Sequence, residues 1–252
     1  MIEVCNLSAG YGKTEVLHNI SLSASCGEIT TVIGNNGCGK STLLKSIVGL
    51  LPIQSGKIII DGADTDNISS GERARLLAYL PQVKGVPDIC AGRMVLHGRF
   101  PYLSYPRRYS RTDLDIASSA MEQMGISSLA DRQMSELSGG TRQKVYIAMA
   151  LAQQAPVVML DEPTVYLDIG QRKKLAETLR SLADSGKTIL LVLHDILLAL
   201  KISDKIAVID NGGIAMCESP GEILESGLIN RIFGINVKSV SDNGSIQYYY
   251  EL

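Results

Sequence analysis

The sequence predicts an α/β fold with an open, largely parallel sheet and an inserted helical segment, and three observations carry that expectation. Short apolar, β-branched runs alternate with stretches of helical spacing, the pattern of strands joined by crossover helices. From about residue 83 to residue 125 strand signals vanish, Gly and Pro punctuate short helical pieces, and arginines gather, so that the middle from 83 to about 155 reads as a helical insertion. The length of 252 residues, 45% apolar and 20% charged, suits one large domain carrying an inserted lobe.

In chain order, EITTVIG (28–34) is a buried strand ending at glycine, and KSTLLKSIVGL (40–50) a helix stopped by Gly49 and Pro52. KIIIDG (57–62) and LLAYLPQ (76–82) read as further strands. After the insertion, VVMLDEP (157–163), TILLVLHD (188–195) and KIAVID (205–210) restore buried strands with helices between them. VKSVSDNGSIQYYY (237–250) reads as a hairpin turning at Asn243–Gly244. The expected organisation is a core from residues 1–82 and 156–235, a helical subdomain at 83–155, and a C-terminal hairpin at 236–252.

Composition excludes several classes. A net charge of -2 gives no support for a polyanion surface, so no nucleic acid partner is expected. The most apolar run, TILLVLHDILLALKI (188–202), is interrupted by His194 and Asp195 and is too short to span a bilayer. The first residues lack the basic start and apolar core of a signal peptide. Five cysteines (5, 26, 38, 90 and 217) form no CxxC pair and no metal-ligand spacing, which suits reduced thiols in the cytosol.

GNNGCGKST (34–42) fits G-x-x-x-x-G-K-[ST] between a strand and a helix, so the core is expected to be of the P-loop NTPase type. Gly34, Asn35, Asn36, Gly37, Cys38 and Gly39 would wrap phosphate oxygens with backbone N–H groups, and the helix start beginning with Lys40, Ser41 and Thr42 adds its dipole. Lys40 would reach the β- and γ-phosphates, and the Ser41 hydroxyl would ligate Mg²⁺. The expected ligand is a nucleoside triphosphate. Asp161 stands at the carboxyl edge of a buried strand, where it would hold Mg²⁺ through water. Glu162 would act as base on the attacking water or orient it. Gln82 and His194 also follow strands. Read alone, His194 is equally a core or capping residue; together they join a constellation in which Gln82 touches Mg²⁺ or water and His194 the γ-phosphate.

With these motifs in order the chain resembles the nucleotide-binding subunits of ABC transporters, over roughly residues 1 to 235. The carriers are Tyr11, the P-loop, Gln82, LSGG (137–140), LDEP (160–163), a YLD triplet ending at Asp168, and His194. The resemblance implies an N-terminal antiparallel β region and ATP as the nucleotide. It implies that Tyr11 stacks on adenine, against the alternative of a buried structural tyrosine. It further implies a head-to-tail homodimer in which Ser138, Gly139, Gly140 and Asp168 meet the ATP of the partner. Ser138 also reads, from the residues themselves, as the N-cap of the helix that follows. Thr141 and Val165 depart from the residues common in the family, Gln and Ser or Thr, near ribose contacts and the YLD triplet.

The strings HGRFPYLSYPRRYSRTD (97–113), YLD and GCGKSTLL resemble the ATPases of importers for ferric siderophores, haem and cobalamin. That resemblance implies a location at the cytoplasmic face of the membrane and a permease docking on the helical subdomain. It also implies an extracytoplasmic substrate-binding protein acting indirectly. Arg99, Arg107, Arg108 and Arg111 are expected to face permease or lipid headgroups, or to form a solvated basic loop. The alternatives are a soluble ABC ATPase such as one serving iron–sulfur assembly, a regulatory module without turnover, and an exporter subunit.

Overall fold

A computed structural model describes residues 1–82, 85–242 and 245–251. The first strands, β1 (Ile2–Tyr11) and β2 (Thr14–Ala24), pair antiparallel; β3 (Ile29–Ile33) then enters the interior and ends at the P-loop, which leads into α1 (Lys40–Val48). β4 (Ile53–Ile60) and β5 (Ala63–Asp64) complete a four-stranded antiparallel sheet in the order β2-β1-β4-β5, the N-terminal β region. α2 (Ser70–Leu76) follows, opened by a capping box between Ser69 and Glu72, and β6 (Leu77–Leu80) starts directly from it.

Residues 85–155 contribute three α-helices: α3 (Ala91–Leu96), α4 (Arg111–Gln123) and α5 (Gly139–Ala152), with α5 packed against the other two and against β6. The expected start of this segment, at residue 83, lies outside the described residues. The chain then alternates β7 (Val157–Asp161), α6 (Ile169–Asp184), β8 (Thr188–Val192), α7 (Ile196–Ile202) and β9 (Lys205–Asp210), with β10 (Gly213–Glu218) returning antiparallel. α8 (Pro220–Glu225) and α9 (Leu228–Phe233) precede a hairpin of β11 (Asn236–Asp242) and β12 (Ser245–Glu251). Its expected Asn243–Gly244 turn lies outside the described residues.

The second sheet runs β10-β9-β3-β8-β7-β6, with β9, β3, β8, β7 and β6 parallel. β3, β7 and β8 are buried at every residue, which is why they read as unbroken apolar runs rather than alternating ones. Their side chains alternate between two cores. Ile29, Val158, Leu160, Ile189 and Leu191 pack with the helical segment and α6; Val32, Met159, Leu190 and Val192 pack with α1 and the antiparallel sheet. The strand order has one consequence for chemistry. The carboxyl ends of β3, β8, β7 and β6 lie side by side, carrying the P-loop, His194, Asp161 with Glu162, and Gln82.

Arg99 corrects one expectation. It is buried, its Nε donating to Asp113 Oδ1 at 2.9 Å and its Nη1 to the Ala152 carbonyl at 3.0 Å, with the Tyr102 ring 4.2 Å away. It therefore clamps the end of α5 to the start of α4 and faces neither partner nor lipid. The Ser110 hydroxyl, with burial opposing it and Arg99 adding to it, holds the Asp113 carboxyl below the usual carboxylate range. Arg107 lies over the exposed Phe100 ring, and Arg111 pairs with Asp115 at the surface.

Candidate nucleotide site

The P-loop turns on two left-handed glycines, Gly37 at φ 80° and Gly39 at φ 110°. A Cβ on Gly39 would also stand 2.5 Å from Leu17 Cδ2, so the close approach of β2 forbids a side chain there. A Cβ on Gly37 would meet nothing within 4 Å, which leaves that backbone open toward the cleft. Gly39 caps α1 without a side-chain acceptor, as suits a helix start that receives an anion from outside the chain. Lys40 is buried, its Nζ donating to the carbonyls of Gly34 at 2.7 Å and Asn35 at 2.9 Å. Asn35 Nδ2 in turn donates to Ile232 O at 2.9 Å, tying the loop to α9.

Ser41 Oγ donates to Asp161 Oδ2 at 3.3 Å, although 120 residues separate them. The other carboxylate oxygen, Asp161 Oδ1, is buried and lacks a hydrogen-bond partner among the described residues. Burial first, and then the Glu162 charge, hold this carboxyl above the usual range. A hydroxyl beside an orphaned, strained carboxylate is an oxygen donor set that fits Mg²⁺, whose charge would relieve both causes.

Glu162 leaves the strand through a left-handed turn (φ 52°), which is costly for a residue with a Cβ and aims the side chain into the cleft. It is 8% exposed, its N–H donates to Val192 O at 3.0 Å, and its Oε1 lies 2.5 Å from His194 Nε2. Asn36, Lys40, Ser41, Gln82, Glu162 and His194 line one open cleft of about 410 Å³ with the P-loop glycines. Tyr11 is half exposed at the end of β1, outside that lining, with Lys45 Nζ 5.8 Å from its ring centroid. The alternative of a buried structural tyrosine is therefore wrong.

The LSGG residues lie elsewhere. Ser138 caps α5, its Oγ accepting Thr141 N–H at 3.2 Å and sharing a 2.9 Å hydrogen bond with Thr141 Oγ1. A Cβ on Gly140 would stand 2.8 Å from the Tyr166 carbonyl oxygen, and one on Gly139 3.3 Å from the Tyr166 ring. These glycines thus also have a local reason, the close packing of the YLD loop. Asp168 caps α6, accepting the Gln171 N–H at 2.8 Å. None of Ser138, Gly139, Gly140 and Asp168 lines the P-loop cleft of their own chain.

Sequence reasoning missed Tyr79, which is partly buried and whose phenol is pushed up by burial, with Asp161 and Tyr11 adding to it. It also missed the Arg172–Asp195 ion pair, at 3.4 Å. An acidic residue directly after His194 was the available signal for the second.

A strand-to-helix phosphate loop with a carboxylate pair and a histidine at neighbouring strand ends defines a P-loop ATPase. The family model described as ABC transporter matches residues 17–165. The achromobactin transport ATP-binding protein of Dickeya dadantii is 39% identical, over 94% of this chain and 88% of that protein. The ferric enterobactin transport ATP-binding protein of Escherichia coli is 37% identical over the same shares. The hemin import ATP-binding protein of Rhodococcus jostii is 34% identical over 91% and 78%. A dimeric bacterial ABC transporter cassette superposes with a TM-score of 0.78 at 27% identity, over 87% of this chain and 99% of that one. An inward-facing metal-chelate type ABC transporter shares the fold, with a TM-score of 0.84 at 24% identity over 100% and 97%. The chain belongs to the ABC transporter family as an ATP-binding subunit, and it is an ATP hydrolase. Cassettes of this family dimerise and work with membrane permease subunits.

Proposed function

We propose that two copies of this chain, head to tail, hydrolyse two ATP between them and energise a permease that imports an iron(III)–siderophore or a related metal chelate such as haem. The observation that carries the catalytic part is the 2.5 Å contact of Glu162 Oε1 with His194 Nε2, in the cleft that Lys40 and Ser41 also line. In this reading the P-loop backbone and Lys40 hold the phosphates, and Tyr11 stacks on adenine from beyond the cleft. Glu162 takes the proton of the water that attacks the γ-phosphorus, while the β–γ bridging oxygen leaves with its bonding pair. His194 orients Glu162 and the γ-phosphate. Ser41, Gln82 and Asp161 would hold Mg²⁺, which supplies charge neutralisation to the phosphate oxygens.

Ser138, Gly139 and Gly140 would close on the partner's ATP, a role suited to their distance from their own P-loop cleft, with Asp168 beside them. The permease would dock on the helical segment, with the subunit peripheral at the cytoplasmic face. Among the described residues no helix is long and apolar enough to cross a membrane. Relatives whose names state achromobactin transport, ferric enterobactin transport and hemin import favour this cargo class, and the last of them this direction, over a soluble or exporting ATPase.

Uptake of ⁵⁵Fe-labelled chelates by cells carrying wild-type chain or Glu162→Gln tests the reading. Import lost with Glu162→Gln for one chelate class identifies the cargo. Undiminished uptake of every ferric chelate and of haem sinks the cargo assignment.

A further inference from the structure

The segment that follows His194 is held from two sides. Asp195 is the N-cap of α7, its Oδ1 accepting Leu198 N–H at 3.0 Å while its Oδ2 faces Arg172 Nη1 at 3.4 Å. Arg172 lies in the first turn of α6, and its Nε donates to the Leu167 carbonyl at 3.1 Å. A single guanidinium thus bridges the YLD loop and the residue next to His194. On the other side β12 packs along α7. Lys201 Nζ donates to Gln247 Oε1 at 3.3 Å, and the Tyr250 phenol, pushed up by burial and by the nearby Asp195 charge, lies beside the Asp195–Leu197 segment.

The geometry continues at both ends. Toward the protein surface, the YLD loop supports Gly139 and Gly140 through Tyr166, itself in a left-handed backbone conformation and 76% exposed. Toward the cleft, His194 touches Glu162. A planar guanidinium offers donors in a fixed fork and so sets two acceptors at a defined separation, which a flexible ammonium does not.

We propose that Arg172 is a positioning residue that transmits the placement of the YLD loop to His194, so that the Glu162–His194 contact is set together with the LSGG surface. Tyr250 of the C-terminal hairpin braces the same Asp195–Leu197 segment from behind. The proposal rests on the reading of Glu162 and His194 given above. Because contact alone does not demonstrate coupling, it calls for a double-mutant cycle.

The chain has three histidines, so an imidazole NMR spectrum carries three sets of resonances, and His194→Ala assigns one of them. Arg172→Ala and Asp195→Asn are each expected to lower kcat about tenfold with the KM for ATP within about twofold, and the double variant to be no slower than the worse single one. Both are expected to move the His194 resonances and leave those of His18 and His97 in place. Tyr250→Phe is expected to do the same with a kcat loss of about twofold. Wild-type kcat and unmoved His194 resonances in Arg172→Ala, with His194→Ala inactive, overturn the coupling alone, as do additive losses in the cycle. Wild-type hydrolysis by His194→Ala overturns the underlying catalytic reading and the proposal with it.

Discussion

The P-loop and the LSGG loop are both glycine-rich and both open a helix, yet they complete that helix start in opposite ways. The P-loop caps α1 with a left-handed glycine and no side-chain acceptor, and its Lys40 ammonium is held by carbonyls of the loop itself. The LSGG loop caps α5 with Ser138, which is satisfied within the chain by Thr141. One loop leaves its helix start open toward its own cleft; the other satisfies its helix start within the chain and stands apart from that cleft. The difference teaches that glycine content alone does not mark a phosphate site. At the P-loop the uncapped helix start coincides with the cleft that Lys40, Ser41, Glu162 and His194 line, and that coincidence leaves N–H groups for a ligand within one chain.

The largest expected effects fall on the P-loop side. Lys40→Ala should abolish ATP binding by an isolated chain, and Glu162→Gln should keep binding while lowering hydrolysis about a thousandfold, read by equilibrium ATP binding and phosphate release. Normal turnover by Glu162→Gln would end the comparison, since the cleft would then not be the reacting site. On the other loop, Ser138→Arg should leave ATP affinity unchanged but block ATP-driven dimerisation and slow hydrolysis about a hundredfold, measured by sedimentation beside turnover. If it hydrolyses ATP normally as a monomer, LSGG is a helix cap and nothing more.

The arm that carries LSGG also depends on the buried Arg99–Asp113 pair. Arg99→Ala is expected to cost roughly 3 kcal/mol in urea unfolding, because it strands a buried carboxylate. A loss no larger than that of a surface pair would show the clamp to be idle.

The smallest effect sharpens the charge side of the contrast. Asp161 is raised above the usual carboxylate range, so between that range and its raised value the folded chain binds the proton more readily than the unfolded one. Stability is therefore lost as pH rises through this window and stays lost at neutral pH. Asp161→Asn is expected to melt a few degrees higher than wild type at pH 7 in chelator, with the gain vanishing below about pH 4. A lower melting temperature at pH 7 would contradict the strain assigned to this carboxylate.

Much of the site was legible because its motifs are local. Gly34 to Thr42 carry their own turn chemistry, and the apolar run before Asp161 and Glu162 announces a strand that delivers them inward. Gln82 and His194 were legible as strand-end residues, and the structure puts them in the same cleft. Arg99 was misread among its neighbours Arg107, Arg108 and Arg111 because a basic cluster in sequence carries no sign of which member meets a buried carboxylate. The roles of Arg172 and Tyr250 were invisible because Asp195 stands 23 residues from Arg172 and farther still from Tyr250, on another element.

The sequence by itself determined the buried strands, the phosphate loop, the helix starts and the class of chemistry, since each is encoded in a few adjacent residues by periodicity and backbone preference. Only the tertiary structure decided that β8 lies between β3 and β7, bringing His194 against Glu162, and that Ser41 reaches Asp161. The same holds for the LSGG glycines, which yield space to Tyr166. Strand order and burial arise from how distant apolar faces pack against one another, and no short window of sequence contains that information.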